Sequence, residues 1–150
     1  MLKKIAELVQ AQGHLVLATC SEDRPHTSLM SYCPSPDGRE FWLATLPHTR
    51  KYANLRANPR ASLLVDDRGG AAAGGRGGSP SLALTVEAVL LPFAGAAEEA
   101  GARRALLARH PELAGFLASG GVLVLRLLGQ HYQLLSGLTE VFAWSPAEKP

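Results

Sequence analysis

The chain has 150 residues, enough for a single domain that buries roughly 68 to 70% of its unfolded surface without metal or disulfide staples. Its 15 Lys and Arg are scattered among 13 Asp and Glu for a net charge of +2, with no basic run to track a nucleic acid, so no nucleic-acid partner is expected. Lys3, Lys4 and Glu7 break the apolar residues near the start, so neither a secretory signal nor a membrane span is expected and a cytoplasmic address follows by default.

Leu2, Ile5, Ala6 and Val9 recur at helical spacing and predict a short amphipathic helix that ends near Gly13 and caps one end of a sheet. His14 to Cys20 is too short for a typical helix and rich in branched residues, which predicts a strand buried on both faces. Ser21 to Pro25 is a turn, His26 to Cys33 a second strand, Ser35-Pro36-Asp37-Gly38 a second turn, and Glu40 to Thr45 a third strand. These three strands are expected to form an antiparallel meander. Cys20 and Cys33 lack partners at metal-binding spacing and read as reduced thiols in or near the core.

The next helix places two cations where the macrodipole is positive. Thr49 is a good N-cap, its hydroxyl able to accept from a first-turn amide, and Asn58-Pro59 stops the helix, so Arg50 and Lys51 fall at the first two helical positions. Like charge there costs roughly 0.3 to 1 kcal/mol per residue. A phosphate would accept from the free amides, the Thr49 hydroxyl, the guanidinium and the ammonium together. The plainer alternative has both side chains bending into solvent.

Ala61 to Asp66 follows as a strand in which Leu63, Leu64 and Val65 suggest burial on both sides. The Gly-rich segment 68–80 is expected to be a flexible hairpin loop. It is not a phosphate loop: no Lys followed by Ser or Thr occurs in it, and Pro80 stands where the third glycine of a dinucleotide fingerprint belongs. Leu82 to Leu91 is a strand, Ala96 to Arg109 a helix with Glu99 four residues before Arg103, and Pro111 to Leu117 a second short helix. Val122 to Leu128, His131 to Leu135 and Thr139 to Trp144 make three closing strands. The predicted class is mainly β (α+β): six to eight antiparallel strands in a small barrel with flanking helices, one domain over 1–150.

No Ser sits in a nucleophile elbow, and His14, His26, His48, His110 and His131 show neither zinc spacing nor a linked carboxylate pair, so no metal site is expected and no catalytic residue is assigned. His26, His48 and His131 could face one cleft, though independent surface or hydrogen-bonding roles are the simpler reading. An anion site without its own acid, base or nucleophile is what a cofactor-dependent protein needs.

Leu17-Ala18-Thr19, Arg24 through Ser28, Phe41 through Thr45, Thr49-Arg50-Lys51, Asn54-Leu55 and Asn58 through Leu64 together resemble the FMN-binding split barrel family related to pyridoxamine 5'-phosphate oxidase. The resemblance covers about the first half of the chain in register and the closing strands more loosely. It implies a split barrel in which Thr49, Arg50 and Lys51 hold the flavin phosphate, Thr45 makes a further phosphate or ribityl contact, and Ser28, Leu29, Met30 and Ser31 lie along the isoalloxazine ring, partly through main-chain groups. It also implies a homodimer in which each flavin sits at the subunit boundary, the two equivalent sites being related by the twofold. Two departures argue against true pyridoxamine phosphate oxidation: Cys33 stands where the oxidase has a lysine, and Tyr132 to Trp144 lacks the oxidase's substrate-gripping Arg and His.

The resemblance therefore implies an FMN-dependent oxidoreductase acting on a small molecule that the sequence does not name. A deazaflavin is the alternative within that class. His48-Thr49-Arg50 with Asn54-Leu55 and Pro59 through Leu63 also resembles split-barrel haem-utilisation proteins, for which a histidine ligand is required. A non-catalytic flavin carrier is the third reading.

Overall fold

The computed structural model describes residues 2–68 and 80–146. In chain order the elements are α1 (Leu2–Ala11), β1 (His14–Ser21), β2 (Arg24–Ser31), β3 (Cys33–Pro34), β4 (Glu40–Thr45), α2 (Arg50–Ala57), β5 (Arg60–Asp66), β6 (Leu82–Leu91), α3 (Ala96–Arg109), a 3-10 turn at Pro111–Leu113, α4 (Ala114–Ala118), β7 (Leu123–Ser136) and β8 (Glu140–Trp144). The eight strands form one sheet in the order β2-β1-β5-β6-β7-β4-β3, with β8 added to β7 beyond the end of β4. Every pairing is antiparallel. The predicted class holds. Most of the segment expected to be a flexible loop, residues 69–79, lies outside the described residues. Among those described, no helix is long and apolar enough to cross a membrane.

The expected meander does not form. β2 pairs with β1, whereas β4 pairs with β7 at the far end of the sheet, its Trp42 opposite Arg126. One residue, Tyr32, separates the end of β2 from the start of β3. Because these two strands occupy opposite ends of the sheet order, the sheet must curl until its ends nearly meet. That leaves two free edges facing a gap, which is the split of the barrel. Among the described residues, β2 has no strand on the side away from β1, and Leu43–Thr45 of β4 have none on the side away from β7, since β3 covers only Phe41 and Trp42.

Side chains alternate across the curl. Leu15, Leu17, Phe41, Leu43, Leu63, Val65, Leu84 and Val86 fill the interior together with Ile5, Leu8 and Val9 from α1. The expectation that β1 and β5 are buried on both faces is corrected here: Leu64 is 38% exposed, and Val16 and Ala18 are half-buried. A second, smaller core packs Leu106 of α3 and Leu117 of α4 over Cys33, Trp42 and Val122.

The two strands expected at Val122 to Leu128 and His131 to Leu135 are one, β7. A bulge interrupts it: Ala88 pairs with Gly129 and Glu87 with His131, leaving Gln130 unmatched. The extra residue switches the inward-facing positions from odd (Leu125, Leu127) to even (Tyr132, Leu134). Gly129 is required there, because a Cβ would lie 2.1 Å from the Tyr132 hydroxyl.

Candidate functional site

α2 starts one short turn after β4. Thr49 donates its hydroxyl to the Leu46 carbonyl at 3.0 Å, its amide bonds the same carbonyl at 3.3 Å, and its Oγ1 lies 3.0 Å from Thr45 Oγ1. The expected cap is therefore absent: the Thr49 side chain makes no bond to the amides of α2's first turn. Closing the turn from Leu46 to Thr49 takes the hydroxyl backwards, and the first-turn amides stay open to an acceptor. The turn carries no acidic residue. Arg50 is exposed and Lys51 half-buried, and among the described residues neither is within ion-pair distance of a carboxylate.

Two asparagines fix this helix. Asn54, buried, donates to Thr19 Oγ1 at 3.0 Å, and Asn58 donates to the Cys20 carbonyl at 3.1 Å while accepting from the Arg60 amide. Both anchors are on β1, so α2 lies against β1 and β2. The spacing of the two asparagines, one helical turn apart, is the sequence signal for an anchored face.

β2 presents its four predicted residues on two faces. Ser28 and Met30 point inward, with Ser28 Oγ 3.3 Å from His26 Nε2, whereas Leu29 is 74% exposed on the outside with Ser31 on the same side. No single ligand face can meet all four side chains, so a ring lying along this strand would meet the main-chain groups of its free edge.

The outer face has its own relief. Val16 pairs with both Leu29 and Leu64, which sets three apolar residues in a row across β2, β1 and β5. Two residues along, Ala18, Ser62, Glu87 and His131 form a parallel row. A concavity of about 510 Å³ opens at this second row, between Cys20, Arg60, Ser62, Glu87, Gln130 and His131. None of the predicted cofactor-binding residues lines it. The same register places His131 outside and His26, opposite the buried Thr19, inside, while His48 is exposed, so the three histidines do not converge. His131 hydrogen-bonds Ser145 instead.

A family model described as pyridoxamine 5'-phosphate oxidase matches residues 1–119. The chain belongs to that family. A pyridoxamine 5'-phosphate oxidase homologue of Schizosaccharomyces pombe is 36% identical over 72 residues, a match spanning 43% of this chain and 38% of that protein. Among solved structures, a haem-binding protein from Mycobacterium smegmatis superposes with a TM-score of 0.79 at 20% identity, covering 97% of this chain and 58% of that one. An FAD-binding protein from Mesorhizobium loti gives 0.70 at 17% identity, covering 88% and 91%. At these identities the structural likeness is one of fold.

As a member of the pyridoxamine 5'-phosphate oxidase family, the chain departs from the resemblance in ways that now have physical content. Cys33 is buried against α3, and burial raises its thiol pKa despite the opposing charge of the nearby Arg109. Tyr132 is buried too. Its ring packs 5.0 Å from Trp144, its hydroxyl donates to the Gly38 carbonyl at 3.2 Å, and burial pushes its pKa up to about 12. These side chains serve packing.

Proposed function

We propose that this member of the pyridoxamine 5'-phosphate oxidase family binds FMN at the split of its barrel and works as an oxidoreductase on a small molecule. One observation carries the reading: the start of α2 combines open amides, two cations without a carboxylate partner among the described residues, and no acidic residue in its first turn, on a helix that packs on β1 and β2 and is tied to the end of β4 through Thr45. A phosphate dianion fits that donor set, with Arg50 and Lys51 supplying charge and the first-turn amides supplying direction. The free edge of β2, from Ser28 to Ser31, offers main-chain donors and acceptors to a flat heterocycle, and Thr45 bounds the site from β4. The flavin, when bound, supplies the electron or hydride transfer. The residues of the chain orient it and shield one side of it.

The apolar row Leu29, Val16 and Leu64 supports a homodimer through the outer face, since a twofold contact buries the same patch twice. Cys20 and Cys33 are unpaired, which fits a reducing, cytoplasmic setting.

The visible spectrum of the purified protein tests the cofactor. A yellow protein that releases FMN on denaturation, or a ligand-free protein that binds added FMN in titration, supports the proposal. A Soret band would replace it with the haem reading, deazaflavin binding in preference to FMN would change the cofactor, and indifference to all three would leave a carrier or structural dimer.

A further inference from the structure

Tyr32 is the single residue between β2 and β3, and its backbone groups have no partner in the sheet ladder on either side. Both must be satisfied elsewhere if they are buried. Tyr32 is fully buried. Its amide donates to the Gly13 carbonyl at 3.2 Å, and its carbonyl accepts from His110 Nε2 at 2.8 Å. A carbonyl only accepts, so the ring nitrogen there carries a proton. His110 is 5% exposed, caps the C-terminus of α3, and has its other ring nitrogen, Nδ1, 3.1 Å from the exposed carboxylate of Glu112. Its ring is wedged: a Cβ on Gly13 would come within 3.3 Å of His110 Cε1. Arg109, the residue before it, bonds the Gln10 and Gln12 carbonyls at 2.7 Å and stands 5.7 Å over the Tyr32 ring.

We propose that His110 is a positioning residue for the cofactor cleft, a latch that donates to the Tyr32 carbonyl and so fixes the spacing between the two free edges of the split barrel. The edge of β2 ends one residue before Tyr32 and the chain reaches β4 through β3, so the orientation of this one peptide group sets how the edges face each other. The consequence for ligand binding rests on the FMN reading above, whereas the latch itself does not.

Three variants test it in the full chain. In His110→Phe the donor is lost, and amide hydrogen exchange at Tyr32 and Cys33 should quicken. FMN affinity should fall by about tenfold, with an altered visible circular dichroism of the bound flavin. His110→Gln, which keeps one N–H donor, should recover most of the affinity and the dichroism. Gly13→Ala, which displaces the ring without removing it, should act in the same direction and replaces His110→Phe should that variant not fold. Unchanged exchange at Tyr32 and Cys33 in the folded variant overturns the latch. Quickened exchange with unchanged affinity and dichroism overturns its role in the cleft. A wild-type protein that ignores FMN while exchange still quickens defeats the cofactor reading and leaves the latch standing.

Discussion

The hydroxyls of Thr45 and Thr49 meet at 3.0 Å, tying the last residue of β4 to the residue that precedes α2. The tie turns the chain so that Arg50 and Lys51 begin the helix with its amides uncapped. Replacing both cations with alanine should weaken FMN binding by tenfold or more, since each charge-assisted contact contributes about 1.5 to 3 kcal/mol. Without ligand the same variant should be as stable as wild type or more so, by roughly 0.3 to 1 kcal/mol per residue, because a charge unfavourable to the helix dipole is gone. Isothermal titration and chemical denaturation on one preparation read both effects, and equal FMN affinity removes the proposed phosphate site.

Asn54 and Thr19 make a buried side-chain pair across α2 and β1. Asn54→Ala should cost about 1 to 3 kcal/mol in urea denaturation, because the Thr19 hydroxyl is left without its donor. A double-mutant cycle with Thr19→Val should return a coupling near 1 kcal/mol. Additive single losses would mean that the pair does not anchor the helix.

The β1–β2 turn places Glu22 and Asp23 at φ of 52° and 58°, the left-handed region that Asn-Gly fills more readily. Exchanging the two for Asn-Gly should raise stability by about 1 kcal/mol without touching either core. A melting temperature at or below that of wild type would contradict the assignment of strain to this turn.

Glu40 accepts from Arg126 at 2.6 Å and from Trp42 Nε1 at 3.1 Å. The Arg126 hydrogen bond, helped by Trp42, holds its carboxyl below the ordinary value near 4.5. A depressed folded value means that the pair stabilises the fold above about pH 4.5 and that this contribution fades as pH falls through the folded value. Glu40→Gln should therefore lower stability at neutral pH and flatten the acid limb of the stability curve. Parallel pH curves for the two proteins would show that the contact contributes nothing.

Most elements were legible because their signals are local. The 3.6-residue spacing in α1, the Asn-Pro stop of α2 and the Glu99–Arg103 pair of α3 each depend on neighbours in sequence. What was missed depends on distant partners. Ser35 to Gly38 is a turn, yet the strands on either side of it do not make a simple hairpin between β2 and β4, because the chain leaves β2 at Tyr32 and pairing is decided across the whole sheet. Gly129 reads as a strand end, when it is the point where a bulge lets β7 change phase. For the candidate site, the sequence named Thr49, Arg50 and Lys51 from their residue types at a helix start, and Thr45 only through the family resemblance. It could not show that the Thr49 hydroxyl turns back to donate to the Leu46 carbonyl and away from the first-turn amides, or that Ser28 to Ser31 divide between two faces.

The single-residue passage at Tyr32 also governs how the molecule comes apart. In an ordinary open sheet each edge strand frays by itself, at its own free energy. Here the two outermost strands, β2 and β3, are covalent neighbours through that one residue, so peeling one tugs the other, and native-state exchange should find β2 and β3 opening as one cooperative unit.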